Sequence, residues 1–167
     1  MSEPDYLLAH SLSAVLGWME LGNSTEARSE LRSLPEEYKD RPEVLDVEWV
    51  LDAEARDWAS ALKVAERLVE IAPENPSGWL HRAYALRRVP EGGLRKAAEV
   101  LRPAVDHFPK EPIIPCNLSC YACQCGDLED ARRWLKKACA CGKKGRIKLM
   151  ALADNDLEEL WPEIRKW

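Results

Sequence analysis

One alanine returns along this chain at Ala27, Ala61, Ala97 and Ala131, at intervals of 34, 36 and 34 residues. Four residues past each stands Leu31, Ala65, Leu101 or Leu135, and seven past each stands Leu34, Leu68, Ala104 or Ala138. Spacings of four and seven place these residues on one helical face. The small side chains on that face let a neighbouring helix come close. A chain with this period is constrained to repeat one structural unit, because no unit can bury such a face alone.

The unit is clearest from Pro42 to Asn75. It holds two amphipathic helical patterns, broken at Arg56-Asp57 and closed by Pro73. In the second, Trp58, Ala61, Ala65 and Leu68 share a face, and Asp57 is placed to cap it by accepting a hydrogen bond from an orphan amide. Five residues before three of the four alanines is a glycine, Gly22, Gly92 or Gly126, suited to a helix C-terminus that passes through positive φ. In the remaining unit Arg56 stands there.

These residues carry a family resemblance. Ser77-Gly78-Trp79 opening the third unit, Gly126-Asp127-Leu128 with Ala131 in the fourth, and Ala72-Pro73-Glu74-Asn75 closing the second resemble the tetratricopeptide repeat family, over roughly residues 8–145 of the 167. The resemblance implies an all-α, right-handed α-solenoid of stacked helix–turn–helix hairpins. The expected organisation is a single domain, 1–167, with repeats at about 5–41, 42–75, 76–111 and 112–145 and a C-terminal capping segment at 146–167. Leu157, Leu160, Trp161 and Ile164 give that cap an apolar side, which a stack needs to cover its last face. Ser77 is expected to cap the third unit's first helix. Pro103 is expected to bend the second while facing solvent. Most of the seven tryptophans are expected in the core.

Composition narrows the function classes. A net charge of −5 and a pI near 5.4 argue against general nucleic-acid binding. No apolar run approaches membrane-spanning length, and the first residues carry acidic side chains where a signal peptide carries basic ones. The expectation is a cytoplasmic protein with no membrane association. His10, His81 and His107 sit in different units with no serine or cysteine partner at a motif spacing, and no phosphate loop or HExxH is present. No enzyme activity and no cofactor are expected.

Six cysteines crowd into residues 116–141. Cys116, Cys120 and Cys123 share a helix face, but Cys116 and Cys123 are roughly 10 Å apart along the axis. One zinc ion needs thiolates converging at about 2.3 Å. Cys116, Cys120 and Cys139 are the residues an antiparallel hairpin could bring nearest to a metal site. Cys120-x-x-Cys123 falls deep in a helix, away from the N-terminus that activates redox dithiols. Cysteine as a small apolar filler is the favoured reading. A metal- or thiol-dependent function centred on residues 116–141 is the competing one.

The resemblance implies a concave groove lined by the first helix of each hairpin, holding a protein or peptide segment. In this register the lining is Leu12, Leu16 and Met19, then Asp46, Val50 and Ala53, then Leu80, His81, Tyr84, Arg87 and Arg88, then Cys116, Asn117, Cys120, Cys123 and Gln124. Some family members grip a terminal carboxylate with paired lysines and asparagines. Here Asn117 and Arg88 have no lysine counterparts in the first two units. An apolar partner segment whose acidic group meets Arg87 or Arg88 fits better. Charge is uneven as well. Residues 132–148 carry eight basic side chains and no acidic one, while residues 36–57 carry nine acidic against three basic. Two solvated faces would explain this; so would a homo-oligomer joined head to tail, or an acidic partner docked on the basic end, and a purely structural oligomer is a separate alternative for the function.

Overall fold

A computed structural model describes residues 3–167, with side chains from Tyr6 onward. Among the described residues every element is helical. The helices are α1 (Glu3–Glu20), α2 (Ser24–Ser33), α3 (Pro42–Glu54), α4 (Trp58–Ile71), α5 (Pro76–Leu86), α6 (Leu94–Leu101), α7 (Ala104–His107), α8 (Ile113–Gln124), α9 (Leu128–Cys141), α10 (Lys144–Ala153) and α11 (Trp161–Ile164), with 3-10 turns at Glu36–Tyr38 and Asn155–Leu160. They pack as adjacent antiparallel pairs, α1 with α2, α3 with α4 and α8 with α9. The chain forms two compact units, one up to His81 and one from Arg82 to Trp167.

Three of the hairpins turn by the same two residues. Gly22, Arg56 and Gly126 adopt φ of 71°, 57° and 80°. The next residue in each case, Asn23, Asp57 or Asp127, has two roles. Its amide donates back five residues, to the carbonyl of Trp18, Asp52 or Ala122, at 2.9 Å each. Its side chain accepts from the amide three residues on, that of Glu26, Ser60 or Asp130, at 3.3, 3.1 and 3.0 Å. One residue thus ends a helix and caps the next, which is why each turn is so short. The third hairpin departs from the expected form. Gly93, not Gly92, takes positive φ, at 109°. Gly92 is needed for close approach instead, since a Cβ there would lie 1.7 Å from the Leu86 carbonyl oxygen.

The four repeating alanines are all at 0% exposure. In the first unit Ala27 lies in a core with Leu8, Val15, Leu31, Leu34, Val44 and Leu51, closed by Tyr38 of the 3-10 turn. Beneath it, Arg28 donates to Asp52 Oδ1 at 2.7 Å and to the Leu51 carbonyl at 3.0 Å, tying α2 to α3. A second cluster joins Leu45 of α3 to Leu68 and Ala72.

In the second unit α6 packs on α8, and α8 on α9. Pro103 is exposed as expected, but it divides the helix into α6 and α7. Arg102 and Pro103 between them keep right-handed helical angles. Ser77 is not the cap of α5. The Asn75 side chain accepts from the Ser77 amide at 3.0 Å, and the Ser77 hydroxyl is used elsewhere. Of the tryptophans only Trp49 is buried, while Trp18 and Trp167 are exposed and the rest are half-buried.

The segment after Gly142 contains α10, which the sequence pattern did not mark. Ile147 and Ala151 of α10, with Leu157, Leu160 and Ile164, are all buried. Pro162 sits in the first turn of α11, where its missing N–H has no helical partner to lose.

Arg56 is the only non-glycine residue among those described to hold positive φ. Arg56→Gly is expected to relieve about 1–2 kcal/mol of backbone strain, offset by about 0.4–1 kcal/mol for added unfolded-state entropy. Urea denaturation should show a small rise in midpoint with an unchanged m-value.

Candidate functional site

The residues expected to line a partner surface fall into three structural settings. In the first unit, α3 and the start of α5 meet through Asp46. Its Oδ1 accepts from the Ser77 hydroxyl at 2.8 Å and faces His81 Nε2 at 3.2 Å. The His81 ring stacks on Trp49, centroid to centroid at 3.8 Å and 9° from parallel. Burial would raise the Asp46 pKa, but the His81 and Ser77 hydrogen bonds outweigh it and hold the carboxyl below its ordinary value. Leu80 beside it is half-buried. Of the α1 residues, Leu12 and Met19 pack on the core while Leu16 is exposed.

The second setting is the end of α5 in the second unit. The Arg88 guanidinium lies 3.6 Å from the Tyr84 ring centroid and donates to the Tyr84 carbonyl at 2.8 Å. Tyr84 remains 36% exposed. This is an aromatic ring held rigid by a cation at the surface, worth about 0.5–1 kcal/mol to the local structure.

The third setting is the face of α8 that carries Cys116, Cys120, Cys123 and Gln124. It is covered by the chain's own segment 154–157. Asp154 Oδ2 accepts from the Cys120 thiol at 3.2 Å, and Asp154 Oδ1 from the Asp156 amide at 2.9 Å. Asp156 Oδ2 accepts from Arg87 Nη1 at 2.7 Å, while its carbonyl accepts from Gln124 at 3.1 Å. Leu157 follows and is buried. Arg87 therefore does meet an acidic group, one supplied from within the same chain. Its guanidinium also lies 5.4 Å from the Tyr121 ring. Asn117 turns back on its own helix, donating to the Ile113 carbonyl at 3.0 Å.

Asp154, Asp156 and Tyr121 were absent from the sequence-based surface. The available signal was a pair of aspartates two residues apart, a short way past the strongly basic stretch. Reading it needed the position of α10, which sets where that pair lands.

The cysteines are free thiols. Among the described residues no group of three or more histidine, cysteine or acidic side chains could hold a metal ion. Cys120 and Cys123 are buried and Cys116 is half-buried. Burial, then the charges of Cys139 and Asp154, push the Cys116 thiol up to about 12. Burial and the Asp154 carboxylate push Cys120 up as well. At both positions burial favours the protonated thiol over the thiolate.

No protein-family model matches the chain, and no curated protein matches it. Solved structures do. TTC0263, a thermophilic TPR protein of Thermus thermophilus, superposes with a TM-score of 0.71 at 20% identity, covering 93% of this chain and 82% of that one. A MamA fragment from Desulfovibrio magneticus RS-1 superposes with a TM-score of 0.67 at 17% identity, covering 99% and 96%. MamA AMB-1 gives 0.60 at 17% identity, covering 79% and 76%. The fold is that of the tetratricopeptide-repeat proteins: all-α, built from stacked helix pairs. Among the described residues no helix is long and apolar enough to cross a membrane.

The thiol environments separate the six cysteines. In native protein at neutral pH, a colorimetric thiol reagent should label exposed Cys125 first, and Cys120 and Cys123 only on unfolding. Fast labelling of Cys120 in folded protein would show that segment 154–157 does not cover it.

Proposed function

We propose that this protein is a non-catalytic protein- or peptide-binding scaffold. The observation that carries the reading is the Tyr84–Arg88 pair: an exposed aromatic ring, rigidified by a stacked guanidinium, in a fold of stacked helix pairs. Tyrosine and arginine are the side chains most enriched where binding energy concentrates, and rigid ones lose little entropy on docking. The fold supports the same reading by analogy, since the solved neighbour from Thermus thermophilus is itself a repeat protein of this kind.

Within the proposed surface the α8 residues play a different part. Segment 154–157 lies over Cys116, Cys120 and Cys123, and a partner reaching them would have to displace it. Lifting the tail would expose Ile147, Leu157, Leu160 and Ile164, all at 2% exposure or less. At about 1.5–3 kcal/mol per side chain, that approaches the total stability of a small domain. The tail is therefore a permanent cover and not a displaceable one. Partner contact is assigned to Tyr84 and Arg88, and an acidic or carbonyl-rich apolar segment is the chemistry they fit. In the first unit, taken by itself, Leu80 and His81 are proposed as partner contacts in their own right.

The double variant Tyr84→Ala/Arg88→Ala should lose at least tenfold in partner affinity, as removal of a binding hot spot does, with helix content by circular dichroism unchanged. Affinity purification with the wild type and the variant in parallel checks this. Recovery of the same partners in the same amounts by both would overturn the assignment.

A further inference from the structure

The second unit reverses the charge of the chain as a whole. Residues 82–167 carry seventeen basic side chains against twelve acidic, in a protein of net charge −5. The excess gathers on α9 and α10, which span the basic stretch 132–148. Some of its cations are already engaged. Arg132 donates to Glu163 through two hydrogen bonds, at 2.8 and 2.6 Å, and Arg133 pairs with Asp130. Lys148 donates to the carbonyls of Arg165 and Trp167, at 3.0 and 2.9 Å. Lys137 lies 5.9 Å from the Trp134 ring. Lys136, Lys143, Lys144 and Arg146 have no ion-pair partner among the described residues.

Two of these, Lys136 and Lys144, line a groove within the same unit. It lies between α9, the start of α10 and the stretch from Leu160 to Trp167, with a volume of about 450 Å³. Leu135, Cys139 and Ala140 of α9 line it on one side, and Leu160, Ile164 and Trp167 on the other. Lys144 lies 5.9 Å from the Trp167 ring. The acidic side chain in the lining is Glu163, and Arg132 neutralises it. That leaves an apolar floor with two uncompensated positive charges. The walls are held by the chain itself: Arg132 ties α11 to α9, and Lys148 of α10 holds the backbone at Arg165 and Trp167. A groove fixed in this way loses little entropy when it is filled.

We propose that this groove docks a short segment of a partner protein that presents apolar side chains flanked by carboxylates. The apolar side chains leave water for the floor, and the carboxylates meet Lys136 and Lys144, whose charge nothing in the chain offsets. A polyanion without apolar groups would leave the floor wet. An apolar segment carrying lysine or arginine would meet like charge at the rim. The volume is at the small end of the range for ligand pockets, about 300–1,000 Å³, so the groove takes a few side chains and the contact is weak. This inference goes beyond the scaffold reading and rests on different residues, since neither Tyr84 nor Arg88 lines the groove.

Nuclear magnetic resonance titration of the full chain tests it, with a blocked synthetic peptide of glutamate pairs alternating with leucine pairs as the probe. Shift changes should centre on Ala140, Lys144, Ile164 and Trp167, and added salt should weaken binding. Lys136→Glu/Lys144→Glu reverses the charge at the groove, and Ala140→Trp fills it while leaving the charge alone. All three positions are exposed, and circular dichroism should confirm wild-type helix content. Each variant is expected to lose about tenfold or more in affinity for the peptide. Tyr84→Ala/Arg88→Ala should bind it like the wild type, which keeps failure here distinct from failure of the scaffold reading. The proposal is overturned if the peptide does not bind, if the shifts centre elsewhere, or if either groove variant binds undiminished. Equal binding of a peptide with serine for leucine, or with lysine for glutamate, would overturn it too. Groove resonances that move with protein concentration alone would make a second copy the occupant, and would likewise contradict it.

Discussion

Close approach between helices, permitted by alanine, is the constraint on which the rest of this structure rests. Ala27, Ala61, Ala97 and Ala131 are at 0% exposure, and so are Ala65, Ala104 and Ala138 at the following turns of the same repeats. A methyl group fills little space, so the facing helix can come near enough for its leucines to fill what remains. Interiors packed to crystal-like density tolerate no extra methylenes at such points. The residue that looks least informative in the sequence therefore sets the spacing of helices within each unit.

The turns serve the same end. Each of the three short hairpins uses one left-handed residue and one asparagine or aspartate that both finishes a helix and caps the next. Nothing is left over to lengthen the connection. Where the third hairpin has two more residues, a different solution appears, with Gly92 for space and Gly93 for φ. The C-terminal segment then closes the face of α8 with a leucine and two aspartates. Cys120 and Cys123 on that face are buried and Cys116 is half-buried, and burial raises all three thiol pKa values.

Much of this was legible because it depends on local rules. The alanine period, the cap at Asp57, the turn at Gly126-Asp127, the glycine at 22 and the exposed Pro103 each follow from one residue and its near neighbours. What the sequence did not reveal depends on long-range placement. Ser77 looks like a cap until Asp46, from the preceding repeat, is seen to take its hydroxyl. Arg87 looks available to a partner until Asp156 arrives from 69 residues away. Helix α10 has Leu149 exposed and its basic residues scattered around it, so no apolar stripe announced it. The tryptophans show the same limit: side-chain size argues for burial, but the positions of Trp18 and Trp167 leave them at the surface.

The central claim is that the recurring small side chains are where neighbouring helices touch, and enlarging one of them tests it most directly. Urea unfolding of Ala61→Leu and Ala131→Leu, followed by far-ultraviolet circular dichroism, should show each variant losing about 1–3 kcal/mol or more, although leucine is nearly as good a helix former as alanine. Midpoints unchanged from the wild type would mean that these positions have room to spare, and the account of how the helix pairs nest would be contradicted.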